Sequence, residues 1–150
     1  MNKPLVIITG ASSGIGAAIA KKFSEAGYPL GLIARNKEAM EKLNLPNTLC
    51  LPVDVTDIDA LKNAVEVIEA KFGAVDCLIN NAGFAKGGDF TELSHADHVN
   101  TVNVNLTGVI NGLEAILPGM RERKTGTIIN LSSVADRHPR PNIATYAATK

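Results

Sequence analysis

The sequence predicts an α/β fold, a doubly wound parallel sheet with strand order 3-2-1-4-5 and helices on both faces. Two observations carry the prediction. Short continuous apolar runs alternate along the chain with stretches whose apolar residues recur every three or four positions. Strand, helix, strand, helix in that succession implies a parallel sheet covered on both faces, and right-handed crossovers favour the doubly wound order. Such a sheet has a switch point between strands 1 and 4, and ligands bind beyond the carboxyl ends of the strands there.

Leu5–Thr9 is a continuous apolar run, as a strand buried on both faces would be. Ile15, Ile19, Phe23 and Ala26 follow at helical spacing, and Gly27 supplies the stop. Leu30–Ala34 is the second strand, Lys37–Leu43 makes a short helix, and Thr48–Val53 is the third strand. Asp57 caps the next helix, whose face carries Leu61, Val65, Ile68 and Phe72 and whose end is Gly73. Val75–Asn80 is the fourth strand, and Ser94–Asn103 reads as a weak helix. A long amphipathic helix over 106–124 carries Leu106, Val109, Leu113, Ile116, Leu117 and Met120 despite Gly108 and Gly112. Thr127–Leu131 is the fifth strand. No repeat, low-complexity tract or linker divides the 150 residues, which read as one domain.

Composition narrows the function. Lys+Arg and Asp+Glu each number 15, so no basic surplus points to nucleic acid or to an anionic membrane. Aromatic residues are 4% of the chain and tryptophan is absent, which argues against a stacking platform for single strands. No apolar stretch approaches the ~18 residues of a bilayer span. The run after Met-Asn-Lys-Pro is too short for a signal-peptide core. Cys50 and Cys77 belong to no CxxC pair and sit in apolar runs, so they read as buried reduced thiols of a cytoplasmic protein. His95, His98 and His138 lack the spacing of a metal cluster and read as surface residues.

Strand 1 leads straight into Thr9-Gly10-Ala11-Ser12-Ser13-Gly14-Ile15-Gly16, and a helix follows. Gly10 permits the tight turn, Gly14 lets the backbone approach a pyrophosphate, and Gly16 lets the helix pack closely on the strand. The helix N-terminus presents free N–H groups to phosphates. A glycine cluster alone also suits an ordinary turn, but its place between the first strand and the first helix favours a nucleotide site.

The segment Thr9–Gly16 resembles the cofactor signature of the short-chain dehydrogenase/reductase family. Four further motifs follow in the family's order. They are Asp54-Val55, Asn80-Asn81-Ala82-Gly83, Asn105 within Asn103-Val104-Asn105, and Ile129–Ser133 with Tyr146-Ala147-Ala148-Thr149-Lys150 beyond it. The resemblance covers essentially the whole chain. It implies a Rossmann-type fold, a nicotinamide cofactor and oxidoreductase activity.

An NAD site usually carries Asp or Glu at the end of strand 2, about 20 residues past the glycines, to accept from the adenosine ribose. Ala34-Arg35-Asn36 stands there instead. A carboxylate repels a 2′-phosphate, whereas a guanidinium pairs with it through two hydrogen bonds. NADP is therefore the expected cofactor, with Arg35 on the 2′-phosphate and Ser13 as a second donor. The other reading of Arg35 is a solvated residue opening the next helix. By resemblance, Ser12, Gly14 and Ile15 belong to the cofactor turn, and Asp54 accepts from the adenine amino group with Val55 beside the ring. Asn81, Ala82 and Gly83 then line the adenosine ribose. Asp54 also suits a turn before Thr56-Asp57, and residues 80–83 a plain strand-to-loop turn.

Tyr146 and Lys150 are four apart, so on a helix they share one face. A neighbouring ammonium stabilises a phenolate, which makes the tyrosine usable as a base at neutral pH. Ser133, at the carboxyl end of strand 5, can donate to an oxygen that develops charge. The group then interconverts a carbonyl and a secondary alcohol by hydride transfer, with Tyr146 exchanging the hydroxyl proton. The resemblance adds that Lys150 holds the nicotinamide ribose and that Asn105 organises a water between Lys150 and solvent. The substrate is a small carbonyl or alcohol, and Ala115–Met120 is reminiscent of relatives acting on small hydroxy acids or semialdehydes. Asp136 departs from the small residue common after Ser-Ser. The basic loop Arg137–Arg140 reads as solvated, with attraction of an acidic substrate as the other reading.

Family members continue beyond the position of Lys150 with two more strands and a substrate-binding segment. The expectation is a fold truncated before those strands, with Tyr146 and Lys150 on a frayed helix and one sheet face uncovered beyond strand 5. An apolar patch should lie exposed along helix 106–124, which in relatives builds a homodimer or homotetramer. A chain of this length alone is then expected to be inactive. The competing reading is a non-catalytic nucleotide-binding fragment or interaction module.

Overall fold

The computed structural model describes residues 3–138 and 140–150. One five-stranded sheet runs in the order β3-β2-β1-β4-β5, and every pairing is parallel. The strands are β1 (Leu5–Thr9), β2 (Leu30–Ala34), β3 (Thr48–Pro52), β4 (Val75–Asn80) and β5 (Thr127–Asn130). All of β1 and β2 is buried, because successive side chains point to two faces and both are covered. Leu5 and Ile7 join the cluster under α3 (Ile58–Phe72) and α5 (Gly108–Arg123). Val6 and Ile8 join the cluster under α1 (Gly14–Glu25) and α2 (Lys37–Glu41).

Asp57 accepts from the Ala60 N–H at 3.0 Å and starts α3 as its sequence predicts. Leu61, Val65 and Ile68 form the buried stripe of that helix. α1 departs from the expected face in its first turn. Ile15 is 65% exposed, and the buried positions are Gly16, Ala17 and Ala20. Ile19 and Phe23 do pack against the cluster beneath this helix as their spacing predicts, and Ile15 alone of the three large residues leaves that face. Freed from the core, Ile15 stands at the cavity described below.

The helices expected over 94–103 and 106–124 form one unbroken run. It consists of α4 (His95–Val102), a π-turn (Asn103–Thr107) and α5. Ser94 and Asp97 open the run with a reciprocal capping box, which offsets the polar composition that weakened the prediction. The wider turn leaves Asn105 only 3% exposed. At Gly112, a Cβ would strike Asn80 Oδ1; the apparent flaw in the helix is where α5 meets β4.

Other boundaries shift slightly, with α2 ending at Glu41, β3 at Pro52 and β5 at Asn130. Cys50 and Cys77 are free and only partly buried, not fully buried as expected. Burial pushes both thiols up, which keeps them protonated. β5 is the least covered strand, with Ile129 42% exposed. Val99, Val102, Leu106, Ile110 and Leu117 are exposed along the α4–α5 run. Among the described residues, no helix is long and apolar enough to cross a membrane.

At Gly31 in β2, a Cβ would lie 2.7 Å from Ile68 Cδ1 and 3.0 Å from Ile7 Cγ1. Both neighbours are fully buried. Gly31→Ala should therefore overpack the α3 contact and cost about 1–3 kcal/mol. Urea denaturation should show a lower midpoint with an unchanged slope.

Candidate active site

A cavity of about 520 Å³ opens beyond the carboxyl ends of the strands. Each strand contributes the segment that follows it. Gly10, Ser12, Ser13, Gly14 and Ile15 come after β1, Arg35 and Asn36 after β2, and Asp54 and Val55 near the end of β3. Asn81, Ala82 and Gly83 follow β4, Leu131 and Ser132 follow β5, and Tyr146 and Lys150 complete the wall. Residues from six separate stretches of sequence thus meet in one place.

The glycine turn is fastened to the end of β4. The Thr9 hydroxyl oxygen accepts from the Asn81 and Ala82 N–H groups, both at 3.1 Å. Asn81 Nδ2 donates to the carbonyls of Thr9 at 2.9 Å and Gly10 at 3.1 Å. Gly10 has φ +65°, and a Cβ there would lie 2.7 Å from Ala82 Cα. Gly16 does not line the cavity; a Cβ on it would strike Asn81 Nδ2 and the Gly10 carbonyl.

Ser13 makes no side-chain cap bond, and α1 has no acidic residue in its first turn. The helix therefore offers its first N–H groups and its positive end to the cavity. Around Gly14 nothing lies within 4 Å of a Cβ position, so an anion has room to approach the backbone. Arg35 is exposed, and among the described residues it forms no ion pair. Asn36 accepts from the Ala39 N–H and caps α2. Asp54 lines the cavity and also holds a turn, since its Oδ1 accepts from the Thr56 N–H and hydroxyl at 2.9 and 2.8 Å.

At the other end, Tyr146 lies on α6 (Ala144–Ala148), which stops before Lys150. The pair therefore does not share a helix, although both face the cavity. Lys150 Nζ donates to the Leu131 carbonyl at 3.0 Å and lies 5.9 Å from the centre of the Tyr146 ring. Burial pushes the Lys150 ammonium down from its ordinary value. A Cβ on Gly83 would stand 3.6 Å from both Lys150 Nζ and Asn105 Oδ1. The backbone at this glycine thus runs between the two side chains.

Asn105 and Ser133 lie outside the cavity wall. The Asn105 side chain accepts from the Phe84 N–H at 2.7 Å and donates to the Phe84 carbonyl and the Thr149 hydroxyl, both at 2.9 Å. Its amide braces two loops and so is already committed to protein partners. Ser133 Oγ accepts from the Ala135 N–H at 3.2 Å and caps a 3-10 turn (Val134–Asp136). Ser132 is the serine at the cavity, and its hydroxyl donates to the Lys150 carbonyl at 2.8 Å. Phe84, Ala85, Asn100 and Val104 also line the cavity. Asn100 and Val104 sit four apart on the run of α4 and the π-turn, where nothing in the motifs marks them. Arg137 is exposed beside Asp136 at 3.9 Å, and Pro139 of the same loop lies outside the described residues. Among the described residues, no cluster could hold a metal ion.

Residues 4–150 match the model of the short chain dehydrogenases. An uncharacterized oxidoreductase of Listeria monocytogenes is 38% identical over 97% of this chain and 61% of its own length. One of Staphylococcus saprophyticus is 40% identical, again over 97% of this chain and 61% of its own. The chain thus spans less than two thirds of these relatives. Serine dehydrogenase from Escherichia coli superposes with a TM-score of 0.90 at 31% identity, over 97% of this chain and 69% of that one. A 3-ketoacyl-(acyl-carrier-protein) reductase from Brucella melitensis, complexed with NADH, has a TM-score of 0.92 at 30% identity, over 99% and 64%.

Asn105→Ala should leave the Phe84 N–H and carbonyl without their partner. The expected cost is about 2–4 kcal/mol, measured by denaturation, with amide exchange at Phe84 accelerated beyond that of the sheet. Retained protection at Phe84 would show that the brace is dispensable.

Proposed function

We propose, given that this chain belongs to the short-chain dehydrogenase family, that it carries the cofactor and proton-transfer machinery of an NADP(H)-dependent oxidoreductase. The reaction interconverts a carbonyl and a secondary alcohol. One observation carries the reading: a single cavity joins the glycine turn and Arg35 at one end to Tyr146 and Lys150 at the other.

The unclaimed N–H groups at the start of α1 suit a pyrophosphate, and the open space at Gly14 lets it close on the backbone. Arg35, exposed and without an acidic partner among the described residues, suits a 2′-phosphate better than a 2′-hydroxyl, and Ser13 lines the same cavity. Asp54 and Val55 hold the adenine, and Asn81, Ala82 and Gly83 line the ribose. Bound there, the nicotinamide supplies or receives the hydride.

Tyr146 gives or takes the hydroxyl proton of the substrate. Lys150 favours the phenolate by its charge and holds the nicotinamide ribose. Ser133 accepts from the Ala135 N–H, so its own proton is available for the substrate oxygen. Asn105 keeps the Phe84 and Thr149 segments in register around Lys150. The likeness to serine dehydrogenase and the Ala115–Met120 segment support a small hydroxy acid or semialdehyde as substrate.

Fluorescence titration with NADPH and NADH tests the cofactor reading. Arg35→Ala should weaken NADPH about ten-fold or more and leave NADH within about two-fold. Tyr146→Phe should abolish turnover across small aldehydes and hydroxy acids while NADPH still binds. Unchanged NADPH affinity in the first variant, or near-normal turnover in the second, would overturn the assignment.

A further inference from the structure

We infer that His98, on α4, is a positioning residue for Tyr146 and acts through Thr145; the inference rests on the reading of Tyr146 as the acid–base group. α6 is a single turn of five residues without a side-chain N-cap. A helix so short does not hold its own geometry, so the direction in which Tyr146 points is imposed by its neighbours.

Thr145 lies on α6 next to Tyr146, and Thr149 is the residue that caps its C-terminus. Both threonines are gripped by the α4 and π-turn run. His98 Nδ1 lies 2.7 Å from Thr145 Oγ1, and Asn105 Nδ2 donates to Thr149 Oγ1 at 2.9 Å. One grip on the turn and one on its C-cap hold both ends of the segment that carries Tyr146.

The surroundings of His98 set its tautomer. Nε2 lies 3.4 Å from the Phe90 carbonyl, which can only accept, so Nε2 keeps its hydrogen and Nδ1 accepts from the Thr145 hydroxyl. The Phe90 ring rests on the imidazole with centroids 4.5 Å apart. On the same loop, the Gly88 N–H donates to the Asn142 carbonyl at 3.0 Å, tying it to the segment that enters α6. His98 stands outside the main cavity wall and lines a smaller one with Phe90, Asn142 and Thr145, so its route to Tyr146 runs through Thr145.

The chain has two tyrosines and no tryptophan. A Tyr28→Phe background therefore makes tyrosine emission a report on Tyr146 alone, with no substrate required. In that background His98→Leu and Thr145→Val should each raise acrylamide quenching about two-fold, and the double variant should be no worse than either. His98→Asn, whose amide reaches the place of Nδ1, and Thr145→Ser should restore the parent value. With NADPH and small aldehydes, kcat should fall roughly three- to ten-fold in the Leu and Val variants, with KM for NADPH unchanged. Parent quenching in both His98→Leu and Thr145→Val, or an Asn variant as impaired as the Leu one, would overturn the proposal. If a form extended to the length of the relatives reduces no carbonyl yet the quenching pattern appears, the positioning stands and the reading of the reaction falls. If it turns over and neither readout responds, the positioning falls alone.

Discussion

The fastening of β1 to β4 at their carboxyl ends is the constraint on which the site depends. Two parallel strands separate there, and the backbone groups that leave the ladder need new partners. Thr9 and Asn81 supply them. One hydroxyl accepts from two N–H groups, and one amide donates to two carbonyls. The same contact admits no side chain at Gly16 and none at Gly10 without displacing Asn81 or Ala82. The start of α1 is thereby aimed into the opening between the strands, and the anion-binding end of the cavity follows from that aim.

The opposite end is built by a second buried amide. Asn105 reaches it from the π-turn of the long helical run. From there its side chain holds the backbone of Phe84 on one side and Thr149 on the other. Lys150 lies beyond Gly83, tied to the carbonyl that follows β5. Glycine turn, β4 end, π-turn and α6 are thus linked through short hydrogen bonds, and Tyr146 rides on the last of them.

The fold was legible where burial acts on both faces at once. β1, β2 and β4 match the apolar runs residue for residue, and Asp57 starts α3 where its side chain announced it. The cavity residues after each strand were legible too, because ordered motifs place them at strand ends. Other features were hidden for physical reasons. Ile15 misleads because it opens the helix at the cavity, while Ile19 and Phe23 keep the predicted face against the core. The π-turn is a change of one hydrogen-bond register, and composition is blind to it. His98 looked like a surface histidine because its partner, Thr145, lies 47 positions away along the chain. Position alone did not show that Ser132 would line the cavity while Ser133 caps a 3-10 turn beside it.

The central claim is that the Thr9–Asn81 fastening builds the dinucleotide end of the cavity, and Asn81→Ala tests it most directly. Isothermal titration with NADPH and NADH, alongside urea unfolding, separates the site from the sheet. The account predicts at least a roughly ten-fold loss of dinucleotide affinity, equivalent to about 1.4 kcal/mol, while unfolding stays cooperative. Undiminished affinity in a chain lacking both amide bonds would contradict it.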